Sequence, residues 1–171
     1  MFNRPCGLID DDFSGTNLTM KIGVISDTHD LLRAQAVAAL HGVDRILHAG
    51  DICGSAVLRG LGDIARVDAV RGNNDRGEWA AVLPESAAFE FDGVAVYMLH
   101  DLSQLDIDPA AAGFRAVISG HSHRPLIEIR DGVTYLNPGS AGPRRFNLPV
   151  ALALLDISNG ELRSELKMLA V

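Results

Sequence analysis

The stretch KIGVISDTHD, residues 21–30, decides the fold. An apolar run at 21–26 stops abruptly on Asp27, Thr28 and His29. The same pattern returns four times. RILHAG runs into Gly50-Asp51, ARVDAVR into Gly72-Asn73-Asn74-Asp75, VAVYML into His100-Asp101, and RAVISG into Gly120-His121-Ser122-His123. Short apolar runs bounded by turn residues read as strands. Loops at the carboxyl ends of neighbouring strands converge on one crevice, so donors scattered through the chain are expected to meet in space.

Working outward, strands at 21–26, 45–48 and 66–71 alternate with helical segments at 31–40 and 55–61. That rhythm belongs to βαβ units and a parallel sheet. Ala, Leu and Gln suit the first helix, His41-Gly42 stops it, and Ser55 can cap the second. The pattern then changes. Runs at 86–91 and 94–99 flank Asp92-Gly93, and runs at 126–129 and 133–136 flank Asp131-Gly132. A last pair, 150–157 and 161–168, flanks Ser158-Asn159-Gly160. All three are hairpin signals. A short helix is expected at 109–112 and a strand at 114–119. The sum is an α/β fold of two packed mixed β-sheets flanked by helices, over residues 20–171. Residues 1–19, polar and turn-rich, are expected to be a flexible N-terminal extension.

Composition narrows the function. A formal charge of −7 and the absence of any Lys/Arg run argue against a nucleic-acid platform. An acidic chain that handles phosphates needs a local reversal of sign, which bound dications provide. Two cysteines, Cys6 and Cys53, make neither a disulfide framework nor a thiolate zinc site, so a reducing, cytoplasmic setting is expected. No segment suggests a membrane span or a signal peptide. A homodimer is the default expectation for oligomeric state.

The strand-end donors are mixed oxygen and nitrogen, which suits Mn²⁺, Fe²⁺, Zn²⁺, Ni²⁺ or Co²⁺. Seven of them are too many for one tetrahedral zinc. They are about right for two metals sharing a bridging carboxylate, ~3.5–4 Å apart. A hydroxide held between such ions can attack phosphorus in line. The glycines before the donors let backbone approach closely or take a positive φ.

The ordered set D-x-H, G-D, G-N-x-D, H and G-H-x-H resembles the calcineurin-like metallophosphoesterase superfamily. The short chain and the later LNPGS segment look like its small YfcE-type phosphodiesterase branch. The resemblance runs from Met20 to the C-terminus. It implies a four-layer αββα sandwich and metal-dependent hydrolysis of a small phosphoester, most simply a diester. Asp27, His29 and His123 would hold one metal, and Asn73, His100 and His121 the other, with Asp51 bridging. Mn²⁺ is the first expectation for both. Asp51, Asn73, Asn74 and His121 would form the catalytic set.

Two positions depart from the family pattern. Asn74 stands where many members carry a histidine, and a carboxamide cannot act as a general acid. Asp101 follows His100 where glycine is common, adding negative charge beside the second metal position. The alternatives are a phosphomonoesterase or protein phosphatase, and a non-catalytic metal-binding scaffold of the same fold. Among secondary candidates, Asn137-Pro138-Gly139-Ser140 reads as an anion nest or a plain turn. Arg144 and Arg145 read as a phosphate clamp or a solvated loop, and His48 as a strand residue near the site. Cys53 is read first as a small loop residue, with a soft ligand or reactive thiol as the alternative. Trp79 is expected to pack at a rim.

Overall fold

The computed structural model describes residues 9–10, 19–145 and 147–171. The first sheet is built on the βαβ half of the chain. Strands β2 (Met20–Ile25), β3 (Arg45–His48) and β4 (Arg66–Ala69) lie parallel, joined through α1 (Ala34–Ala39) and α2 (Ser55–Gly62). Helix α3 (Glu78–Ala81), a single turn, precedes the hairpin β5 (Ser86–Phe91) and β6 (Val94–Leu99). Strand β7 (Ala116–Ile118) and the hairpin β8 (Leu126–Arg130) and β9 (Val133–Asn137) extend that second sheet. The last hairpin, β10 (Ala151–Ser158) and β11 (Glu161–Met168), crosses back and pairs β10 antiparallel to β2. Both sheets are therefore mixed: β11-β10-β2-β3-β4, and β1-β5-β6-β7-β9-β8.

Strand β1 is residues 9–10, paired parallel to β5. Apart from these two and residue 19, the expected N-terminal extension lies outside the described residues.

All three hairpins turn on two-residue loops with positive φ at both positions: Asp92-Gly93, Asp131-Gly132 and Asn159-Gly160. That backbone matches the right-handed twist of the strands it joins. Between the sheets, Ile22, Val24, Leu47, Phe89, Phe91, Val96, Met98 and Ile118 form a dry core. Each such large side chain contributes roughly 1.5–3 kcal/mol by its burial. The far face of the first sheet packs Ile25, Ile46 and Leu152 against Ala36 and Leu40 of α1 and Val57 and Leu61 of α2. The far face of the second sheet is thinner. A small cluster of Leu99, Val117 and Val133 is covered by Leu102 and Leu105 of a 3-10 turn.

Local differences from the sequence reading have physical causes. Helix α1 starts at Ala34, because the segment before it runs alongside residues 50–52 instead of coiling. Residues 109–112 form a turn, with Ala112 N–H donating to Asp108 O, and so short a segment gains too little to propagate as helix. What positions the site is the shared direction of β2, β3, β4, β6 and β7. Their carboxyl ends open at one edge of the sandwich.

Candidate metal centre

Three of the five loops leave these strand ends in unusual backbone conformations. Asp27, His29, Asp51, His121 and His123 all have positive φ, at 54°, 45°, 54°, 65° and 57°. L-residues visit this region rarely, and non-glycine residues held there cluster at ligand clamps. Cross-loop hydrogen bonds impose it. Asp27 N–H donates to Gly50 O at 3.0 Å, His29 N–H to Asp51 O at 3.0 Å, and Asp30 N–H to Ile52 O at 2.8 Å. Glycine permits the closeness: a Cβ on Gly72 would collide with Asp51, and one on Gly120 with Ser26 Oγ.

The seven expected donors converge. Asp27, His29 and His123 bring ligand atoms within 4.8 Å of one another, and so do Asp27, Asp51 and His100. His123 Nε2 lies 3.2 Å from Asp27 Oδ1 and 3.4 Å from His29 Nε2. Asn73 Oδ1 lies 3.1 Å from His100 Nε2 and 3.0 Å from His121 Nδ1. Asp51 faces both groups, with Oδ2 3.8 Å from His29 Nε2 and Oδ1 3.4 Å from His100 Nε2. Asp27 is fully buried, and its Oδ1 has no hydrogen-bond partner. An orphaned buried carboxylate oxygen is costly unless something positive satisfies it. This oxygen points among imidazoles, and the donor set fits divalent cations.

The other atoms of these side chains are tied down. Asp27 Oδ2 accepts from Ser26 Oγ at 2.7 Å and from His121 N–H at 3.1 Å. His100 Nδ1 donates to Ala49 O at 2.7 Å, which turns Nε2 toward Asp51 and Asn73. Asn74 donates its backbone N–H to Asp51 Oδ1 at 2.8 Å and its side-chain amide to Oδ2 at 2.6 Å. Burial opposes ionisation of Asp51, yet His100 and Asn74 together hold its carboxyl well below the usual carboxylate range. Burial also works against charge on His100, but its hydrogen bonding to Asp51 and Ala49 raises it overall. In His29 burial dominates and lowers the ring, offset only partly by Asp51 and Asp27.

The secondary candidates sort themselves. His48 is fully buried behind the loops, its Nδ1 accepting from Gly50 N–H at 3.2 Å and its Nε2 2.9 Å from Thr28 Oγ1. Burial pushes it down to about 3, so it is a neutral brace for two donor loops. The NPGS segment is also a brace. Asn137 Nδ2 donates to Gly120 O at 2.6 Å, Gly139 N–H donates back to Asn137 Oδ1, and Ser140 Oγ donates to Asp27 O. Cys53 Sγ sits 3.4 Å from His29 Nδ1, and burial among carboxylates raises its thiol to about 11. Arg144 and Arg145 are exposed, and the charge of Arg145 reaches His29. Trp79 packs, half-buried, against the helix-side core. Asp101 accepts from Ser103 N–H at 3.0 Å and so caps the 3-10 turn.

Asp75 is the residue whose role sequence reasoning missed. Its oxygens accept from Cys53 N–H and Gly72 N–H, both at 2.7 Å, stitching the loop of Asp51 to the loop of Asn73. Its place at the end of the GNND stretch was the available signal.

Two layers of sheet with acidic and imidazole groups gathered at one edge form a candidate metal-binding architecture. Residues 20–160 match the calcineurin-like phosphoesterase superfamily domain, and the chain belongs to that family. It is 36% identical over 147 residues to a probable metallophosphoesterase of Methanothermobacter thermautotrophicus, covering 79% of this chain and 85% of that one. An archaeal phosphodiesterase of known structure superposes with a TM-score of 0.72 at 26% identity, over 86% of this chain and all of that one. Vacuolar protein sorting 29 from Cryptosporidium parvum shares the fold, with a TM-score of 0.72 at 16% identity over 90% and 99% of the two chains. Among the described residues, no helix is long and apolar enough to cross a membrane.

Proposed function

We propose that this chain is a metal-dependent phosphodiesterase with a two-cation centre. Asp27, His29 and His123 hold one cation, Asn73, His100 and His121 the other, and Asp51 is shared. The observation that carries this reading is the position of Asp51 between two donor groups, one carboxylate oxygen turned to each. Bound there, two divalent cations would supply Lewis acidity and an activated water for in-line displacement at phosphorus.

The chain's own groups have distinct tasks. Asn73 contributes a neutral carbonyl oxygen, which keeps the centre positive toward an anionic diester. Ala49 O fixes the His100 tautomer. Asn74 orients Asp51 through both carboxylate oxygens, and so occupies with structure the place where a proton donor often stands. General acid catalysis typically gives 10²–10⁴-fold. Without it, the leaving alcohol takes its proton from water, which favours diesters with good leaving groups over monoesters.

The test is hydrolysis of bis(p-nitrophenyl) phosphate by protein reconstituted with Mn²⁺, compared with Asp51→Asn and His121→Ala. Each variant should lose at least ~10²–10³-fold, the scale of one lost transition-state contact, with an unchanged circular dichroism spectrum. Turnover that persists in metal-stripped Asp51→Asn protein overturns the reading.

A further inference from the structure

A cavity of about 460 Å³ is lined in part by Asn73 and His100. That is within the ordinary range for a small-ligand pocket. Asn73 and His100, from one half of the centre, are part of its lining. Tyr97 and Leu99, on the outer face of β6, supply aromatic and apolar surface. Gly72, Ser86 and Gln104 complete the neutral lining, and the charged groups of the remaining wall are mostly acidic. Asp75, Glu85, Asp101 and Asp106 line it, against the single guanidinium of Arg71, which Glu85 already pairs through Arg71 Nη2. At His29, in the other half of the centre, the exposed Arg145 adds some positive charge to the larger effects of Asp51 and Asp27.

A phosphodiester whose phosphate sits at the donors must send one of its two alcohol groups toward this cavity. A second phosphate, a carboxylate or a nucleotide tail would meet carboxylates at short range. A neutral alkyl group would leave the acidic wall unanswered. An ammonium group answers both surfaces, through Coulombic attraction to the wall and cation–π contact with an aromatic ring. Resting on the phosphodiesterase reading, we propose that this cavity is a subsite for a cationic alcohol group, so that preferred substrates are diesters of ammonium-bearing alcohols. The sign of the groove and the size of the cavity specify the chemical class, a short aminoalkyl or trimethylammonio-alkyl ester.

The experiment compares two chromogenic diesters with the same leaving group, p-nitrophenyl phosphocholine and its neutral isostere p-nitrophenyl 3,3-dimethylbutyl phosphate, on Mn²⁺-reconstituted protein. The choline ester should be favoured about 10-fold in kcat/KM, mainly through KM, and the preference should shrink as salt rises. Asp106 is exposed, so Asp106→Asn removes charge without a packing penalty, and Tyr97→Leu removes the ring. Each should lower the choline-to-isostere ratio, and the two together should bring it near unity. Equal turnover of the two esters, or a preference that both variants leave intact, overturns the subsite. Turnover of neither ester, nor of bis(p-nitrophenyl) phosphate, overturns the phosphodiesterase reading on which it rests.

Discussion

The Asp27–His29–His123 half of the centre and the Asn73–His100–His121 half use similar donors in opposite surroundings. In the first, Asp27 is fully buried, His123 is 9% exposed, and Asp27 Oδ2 is locked by Ser26 and by the backbone of His121. In the second only His100 is buried; Asn73 and His121 are exposed and meet each other chiefly through side chains. The difference teaches that packing the sheets together builds one half, while the other depends on how the loop of Asn73 is held. If the proposed two-cation centre forms, this asymmetry predicts that one cation binds firmly and that the second stays open to exchange and to substrate.

The largest effect that could break this comparison comes from Asp27→Ala. Asp27 is the buried carboxylate of the first group and also lies within 4.8 Å of the shared Asp51 and of His100, so its loss should empty the centre and lower turnover by at least ~10³-fold, the order of several lost contacts. Metal stoichiometry by mass spectrometry after dialysis should fall from near two to near zero. Asn73→Ala should behave differently. It should lose one cation, weaken that position on the order of 10–100-fold, and recover turnover as free metal is raised. If Asn73→Ala emptied both positions and Asp27→Ala only one, the asymmetry would be inverted and the comparison would fail.

The side chains that converge were legible because each stands at the end of a short apolar run, a local pattern. The hairpins were legible for the same reason: Asp-Gly and Asn-Gly specify positive φ within two residues. What was illegible is long-range. Nothing local to residues 151–168 says that β10 pairs with β2 and not with its sequence neighbour β9. The positive φ at His29, His121 and His123 is equally hidden, since histidine carries no such preference strongly and the loops hold one another in place. Asn137 illustrates the same limit. Its sequence offers a turn, and only the fold shows that the side chain reaches Gly120 O and Ser122 Oγ, fixing the loop of His121 and His123.

The smallest effect sharpens the comparison most. Asp75 is 6% exposed and accepts one backbone N–H from each of two loops, those of Asp51 and Asn73. Asp75→Asn replaces one acceptor oxygen with an NH₂ group that faces a buried donor, which costs about 1–3 kcal/mol. For a chain of this size each kcal/mol lowers Tm by about 2–4 °C. The same substitution at Asp101, whose carboxylate caps an exposed 3-10 turn, should cost about 1 kcal/mol or less. The informative readout is metal affinity at each position. The loops of Asp27, His29 and His123 take no hydrogen bond from Asp75, so the first cation should bind Asp75→Asn as it binds the parent. The second should weaken several-fold, because the Asn73 loop is free to drift from Asp51. Equal weakening at both positions would mean that Asp51 couples the halves too tightly for either to be called the firm one.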